Sequence, residues 1–237
     1  MPEIYSNDNL KIIEDKNTSI FIIEFLYPSA ILINSLLKTR IIQGGTSSDD
    51  YHTLKFKTSS VKSLKQFQEE KYRDQGTSRL TINETASLIA NLSSQLQYLI
   101  TKENRTIIGY TSENIIVINN TKFAFLGSDL FAEIEENNNV LISYPFSTND
   151  FFVSPELLQI KELPSYVHYK TAYFSLACLV IYVLLSDDEF YIEYLNNPMP
   201  SNILNYLNLH PIKDTKLYYL LSRCLDEVSE NRSILFV

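Results

Sequence analysis

The chain has 237 residues, 45% hydrophobic and 20% charged, the balance of a folded protein with a sizeable core rather than a disordered one. Its 28 acidic against 20 basic side chains give a net charge of −8, which excludes general nucleic-acid binding through clustered positive charge. The two cysteines, Cys178 and Cys224, each lie in an apolar run, which excludes a disulfide framework and points to a reducing, intracellular compartment.

In chain order, Ser19–Tyr27 has strand composition, and Pro28 stops it. Ala30–Leu37 suits a short helix with Ser29 as its N-cap or a second strand, since eight residues are too few for periodicity to decide. Gly44-Gly45 and the polar residues that follow form a surface loop, and His52–Lys57 reads as another strand. From Ser63 onward helices take over. Thr81 and Glu84 have capping-box spacing. Ile82, Ala86, Ile89, Leu92, Leu96 and Leu99 then mark one face of a long amphipathic helix. Asn114–Ile118 and Lys122–Leu126 are β runs joined by Asn119-Asn120-Thr121, and Asn tolerates the left-handed backbone of a hairpin turn. Glu133–Asn139 reads as an acidic, exposed loop. Helices are predicted over Tyr169–Leu185, Asn202–Leu207 and Lys216–Asp226. The most apolar window, Tyr173–Leu185, is 13 residues long, against the roughly 17–25 that span a bilayer. The first residues lack the basic-then-apolar pattern of a secretory signal, so no membrane association is expected.

Motifs along this order resemble those of protein kinases. The segment Ile107-Ile108-Gly109-Tyr110-Thr111-Ser112-Glu113-Asn114-Ile115-Ile116-Val117 is similar to the catalytic loop H-R-D-L-K-P-E-N-I-L-V. Lys122-Phe123-Ala124-Phe125-Leu126-Gly127 falls where the family has K-I-x-D-F-G, and Ser154-Pro155-Glu156 stands in for A-P-E. Tyr173-Phe174-Ser175-Leu176-Ala177 resembles V-W-S-L-G, and Cys224-Leu225 with Arg232 resembles C-L-x-x-D-P-x-x-R. The ordered set covers about residues 60–237. It implies an α+β, protein kinase-like bilobal fold, with a reduced β-rich N-lobe at residues 1–60 and a mainly helical C-lobe at 61–237. A partial sheet in that small lobe leaves a strand edge for a partner chain, with Ser19–Tyr27 or His52–Lys57 as the strand concerned.

The departures from the family fall on its chemistry. The catalytic aspartate position is Gly109, the catalytic-loop lysine position is Thr111, and the metal-binding aspartate position is Phe125. Asn114 and Gly127 persist, and one amide oxygen is a poor holder of Mg²⁺; Asn114 reads as a turn residue. No glycine-rich phosphate loop is present, and Lys55 and Lys57 read as solvated strand lysines rather than phosphate ligands. Apolar positions are kept: Ile107 and Leu126 replace the family's catalytic-loop histidine and D-F-G phenylalanine, Phe174 its tryptophan. Ala172 stands for a buried aspartate that braces the catalytic loop. The resemblance also implies a buried ion pair between Glu156 and Arg232.

The reading is a pseudokinase: not an enzyme, with no cofactor and no metal, acting by binding another protein. A second copy of the chain is one candidate partner. The second reading is an atypical nucleotide-binding protein or weak Ser/Thr kinase in which Asp129 joins Asn114 at a metal. Histidines 52, 168 and 210 show no metal spacing, and Cys178 reads as a packed thiol. Heavy use of Ile and Asn suggests an AT-rich genome, such as that of a large DNA virus or a compact parasite.

Overall fold

The computed structural model describes residues 2–147, 151–185 and 199–234. The elements in the first half are β1 (Glu3–Ser6), β2 (Leu10–Asp15), β3 (Ile20–Phe25), α1 (Ala30–Lys38), β4 (Thr46–Ser47), β5 (Thr53–Lys57), β6 (Val61–Ser63), α2 (Leu64–Gln75) and α3 (Ile82–Glu103). Then come β7 (Arg105–Ile107), β8 (Ile115–Ile118), β9 (Lys122–Phe125), β10 (Phe131–Glu133), β11 (Asn139–Ile142), α4 (Pro155–Leu158), β12 (Ser165–His168), α5 (Thr171–Leu185), α6 (Pro200–Leu209) and α7 (Lys216–Cys224). The class is α+β, sheet-rich first and helical later. Two compact units result: residues 1–103 with 112–129, and residues 104–111 with 130–237.

In the first unit, β1 to β5 form one antiparallel sheet in the order β1-β2-β3-β5-β4. Alternation sets its face: Leu10 and Ile12, Phe21, Ile23 and Phe25, and Leu54 and Phe56 are buried, with polar or half-exposed residues between them. The segment after Pro28 is a helix, because Leu32, Ile33, Ser35 and Leu36 share one buried face at helical spacing. Ser29 stands at its N-cap position, but its hydroxyl donates to Tyr27 O (3.1 Å) and makes no cap bond. β3 is an interior strand, paired with β2 and β5, and β5 pairs with β3 and, over two residues, with β4. The edge strands are therefore β1 and β4, short segments for which the sequence gives no clear alternation, and not the two strands expected.

The same unit holds a second antiparallel sheet, β6-β8-β9. Ser63 caps α2 through a reciprocal box with Gln66, and Gly76 closes that helix at φ 70°. The box on α3 forms as its spacing predicts: Glu84 N donates to Thr81 Oγ1 (3.2 Å) and Thr81 N to Glu84 Oε2 (2.7 Å). The buried face of α3 is Thr85, Leu88, Ile89, Leu92, Gln95, Leu96 and Leu99. Ile82 is 57% exposed and Ala86 is also exposed, so the true face is rotated from the predicted one toward two polar residues. At the β8–β9 turn, Asn119 and Asn120 adopt φ 52° and 57°. The Asn119 Oδ1 also accepts from Ser59 N (3.0 Å) and Ser59 Oγ (2.7 Å).

In the second unit, α5 is buried on almost every side, as expected of a helix apolar all round. Two small antiparallel pairs, β7–β10 and β11–β12, accompany it. The acidic segment between β10 and β11 is exposed from Glu135 to Asn138, with Asn137 and Asn138 at positive φ, while its ends Glu133 and Asn139 belong to strands. These strands of three or four residues carry too little alternation to be read from sequence. Among the described residues, no helix is long and apolar enough to cross a membrane.

Candidate functional site

The residues aligned with the kinase site divide between the two units: Gly109 and Thr111 belong to the second, and Asn114, Phe125, Gly127 and Asp129 to the first. In the second unit, the segment after β7 is pinned by its backbone. Tyr110 N donates to Ser175 Oγ of α5 (2.6 Å), and Phe152 N donates to Tyr110 O (2.8 Å). These bonds bring residue 151 over Gly109. A Cβ added to Gly109 would lie 1.8 Å from Phe151 Cδ2 and 2.4 Å from Cγ. The ring cannot simply step aside, because it packs among Val140, Ile142, Val153, Leu157 and Val167 and lies 5.4 Å from the Phe146 ring. Where the resemblance asks for a carboxylate, the chain has an aromatic ring pressed on a bare backbone.

In the first unit, Asn114 ends a short 3-10 turn, Ser112–Asn114, and its strand begins one residue later than expected. Its Oδ1 accepts hydrogen bonds from Tyr5 Oη (3.3 Å) and Asn7 Nδ2 (3.2 Å), and its carbonyl accepts from Leu126 N (2.8 Å). That amide oxygen is committed within the fold, as a turn residue's would be. Gly127 must lack a Cβ, which would meet Asn114 Nδ2 at 2.6 Å and the Phe125 ring at 2.8 Å. Asp129 is exposed. Phe125 is fully buried, and its backbone is bridged by one side chain: Phe125 N donates to Gln95 Oε1 (3.1 Å), and Gln95 Nε2 donates to Phe125 O (2.9 Å) and Ser35 Oγ (3.1 Å). The sequence offered no signal for Gln95 beyond a polar residue at a buried helical position.

Lys55 and Lys57 are exposed on β5. Lys11 and Glu24, opposite each other on β2 and β3, form a solvated pair at 2.9 Å, of the kind worth about 0–1 kcal/mol. A far more buried pair, unseen in the sequence, joins Lys71 of α2 to Glu84 of α3 at 3.0 and 2.8 Å. Burial pushes the Glu84 carboxyl upward, but the bonds from Lys71 and Thr81 outweigh it and hold the group below its ordinary value.

Glu156 and Arg232, 76 residues apart, meet in the second unit through two parallel bonds, Nη1 to Oε1 at 2.5 Å and Nη2 to Oε2 at 2.9 Å. The arginine side chain is 0% exposed and the glutamate 22%. The Nε donates to Asp226 O (2.9 Å), and the guanidinium stands 5.0 Å from the Phe174 ring centre. His168 lies nearby, its Nδ1 accepting from Lys170 N (3.3 Å) and its ring 4.8 Å from that of Tyr169. Both cysteines are free and buried, and burial pushes the Cys224 thiol up to about 12, far from a reactive thiolate. Among the described residues, no three His, Cys, Asp or Glu side chains are grouped to hold a metal. No family model matches the chain, and no curated protein matches it.

Three outcomes follow from this geometry. Gly109→Ala should destabilise the fold by about 1–3 kcal/mol through overpacking, and the penalty should largely vanish in a Phe151→Ala background, measured by denaturant unfolding. Equal penalties in both backgrounds would clear the ring of blame. Removing either Glu156 (to Gln) or Arg232 (to Met) should cost roughly 3–5 kcal/mol, with strong coupling in the double-mutant cycle; additive losses each under about 1 kcal/mol would contradict this. The third outcome concerns pH. Burial lowers the His168 pKa below 6.5; Glu230 opposes this, and Lys170 and Arg232 reinforce it. The folded state thus favours the neutral ring, so its contribution is present above 6.5 and is lost as the pH falls through the folded-state value. Between pH 7 and pH 5 the urea midpoint should fall more for the natural chain than for His168→Gln, and parallel curves would disprove it.

Proposed function

We propose that this chain is a pseudokinase, a kinase-like protein without phosphoryl-transfer chemistry, that acts by binding another protein. The single observation that carries the reading is the Phe151 ring filling the place of a side chain at Gly109. A kinase needs a carboxylate there to orient the substrate hydroxyl, and this packing leaves room for no side chain at all. Burial of Phe125 at the metal-aspartate position supports the same reading, as does the Asn114 Oδ1 already bonded to Tyr5 and Asn7.

The kinase-like architecture is supported by order and by one architectural contact. A five-stranded antiparallel sheet comes first, then the long helix α3, the β8–β9 hairpin and the buried helix α5, with partial motifs on the last two of these elements. The Glu156–Arg232 pair is the contact that the resemblance implies for a retained scaffold. Chemistry has been replaced by packing while a buried charge pair that costs desolvation is kept, the pattern expected when shape is what the protein uses.

Thermal unfolding with and without millimolar ATP-Mg²⁺ tests the proposal. A nucleotide present at 100 times its dissociation constant would add about 2.7 kcal/mol of stability, a shift of several degrees for a chain of this size. The expected result is a midpoint unchanged to within about 1 °C. A shift of several degrees would overturn the empty-site reading and favour an atypical nucleotide site at Asn114 and Asp129.

A further inference from the structure

We infer that β1 is a strap, a strand that opens as a unit while the rest of its compact unit stays folded, and that a side-chain lock centred on Tyr5 holds it shut. Three observations carry this. First, β1 ends the row of its sheet and pairs only with β2 there, with a break in register between Glu3 and Tyr5. Second, none of its four residues is fully buried, whereas β2 buries Leu10 and Ile12, and β3 buries Phe21, Ile23 and Phe25. Apolar burial therefore contributes little to holding β1 in place. Third, apart from a long bond from Gln66 Nε2 to Ile4 O (3.4 Å), the side-chain contacts that tie the strand to neighbouring elements converge on one point. Tyr5 Oη donates to Glu113 O (2.9 Å) and approaches Asn114 Oδ1 (3.3 Å), while Asn7 Nδ2 donates to Tyr5 Oη (3.2 Å) and to Asn114 Oδ1 (3.2 Å).

Asn7 makes the lock part of the turn. Its Oδ1 accepts from Asn9 N (2.9 Å) and Leu10 N (3.0 Å), so the same side chain shapes the link from β1 to β2 and reaches the 112–114 turn. Burial, with a smaller push from Glu113 and Asp129, raises the Tyr5 pKa above its ordinary value, against the bond from Asn7; the hydroxyl stays a donor. When shut, the strap covers the outer edge of β2 and occupies the Asn114 amide. When open, it frees both, and a strand edge with unpaired N–H and C=O groups is a template for pairing with another chain.

Amide hydrogen exchange on the full chain, read by mass spectrometry, tests the strap without reference to any ligand or activity. In the natural chain, amides of residues 3–7 should exchange at least about tenfold faster than those of β3. Tyr5→Phe removes the hydroxyl, and Asn7→Ala removes the second arm. Each should raise exchange in residues 3–7 and 112–114 by about fivefold to tenfold, the loss of roughly one net hydrogen bond, while β3 and β5 keep their protection. Three results would overturn the inference: residues 3–7 exchanging in step with β3, variants with unchanged exchange in β1, or variants in which the whole unit loses protection or fails to fold. The first two deny a strap or its lock, and the third makes β1 integral to the core.

Discussion

A guanidinium stays charged at any pH a folded chain meets, so the burial of Arg232 must be answered by neighbours on every side. Glu156 of α4 supplies both carboxylate oxygens, the Asp226 carbonyl satisfies Nε, and the Phe174 ring of α5 lies beside the guanidinium. One side chain thereby fixes three separate stretches of the second unit. The ties around it extend the set: Ser154 and Thr171 share a hydrogen bond at 2.5 Å, and Lys170 Nζ donates to Glu230 O at 2.6 Å. With α5 apolar on nearly all faces, polar contacts at its start and beneath its first turns set where the neighbouring segments attach.

The first unit solves a similar problem with a neutral group. Gln95 is fully buried on α3 and meets both backbone groups of Phe125 and the Ser35 hydroxyl on α1. A buried amide left unmatched would cost about 1–3 kcal/mol, and here none of its polar atoms is left so. At the end of β9 the Phe125 ring packs in the core, and its backbone N–H and C=O are both bonded by the Gln95 side chain.

Legibility followed the length scale of each physical cause. Local causes were readable. The Thr81–Glu84 box, the Asn119-Asn120 turn and the all-apolar α5 each depend on residues within a few positions of one another. Of the apolar residues read on the α3 face, Ile89, Leu92, Leu96 and Leu99 are buried and Ile82 and Ala86 are not; Gln95, which apolar spacing alone misses, is buried by its bonds to Phe125 and Ser35. At the candidate site the residue types at 109, 111 and 125 could be read in sequence, but the contacts around them could not. Phe151, Gln95, Tyr5 and Lys71 act across separations of 42, 30, 109 and 13 residues, counted from Gly109, Phe125, Asn114 and Glu84. No pattern within a window connects such pairs. Glu156 and Arg232 were the exception, because a resemblance to a known family supplied the long-range pairing.

The seating of Phe151 on Gly109 sets the order in which the two positions can change. A side chain at 109 needs a smaller neighbour at 151 first, and a smaller residue at 151 taken alone opens a void in the cluster of Val140, Ile142, Val153, Leu157 and Val167. Each single step lowers fitness of packing, so the pair behaves as a ratchet. A side chain of any kind at 109 is therefore reached only through two coordinated changes.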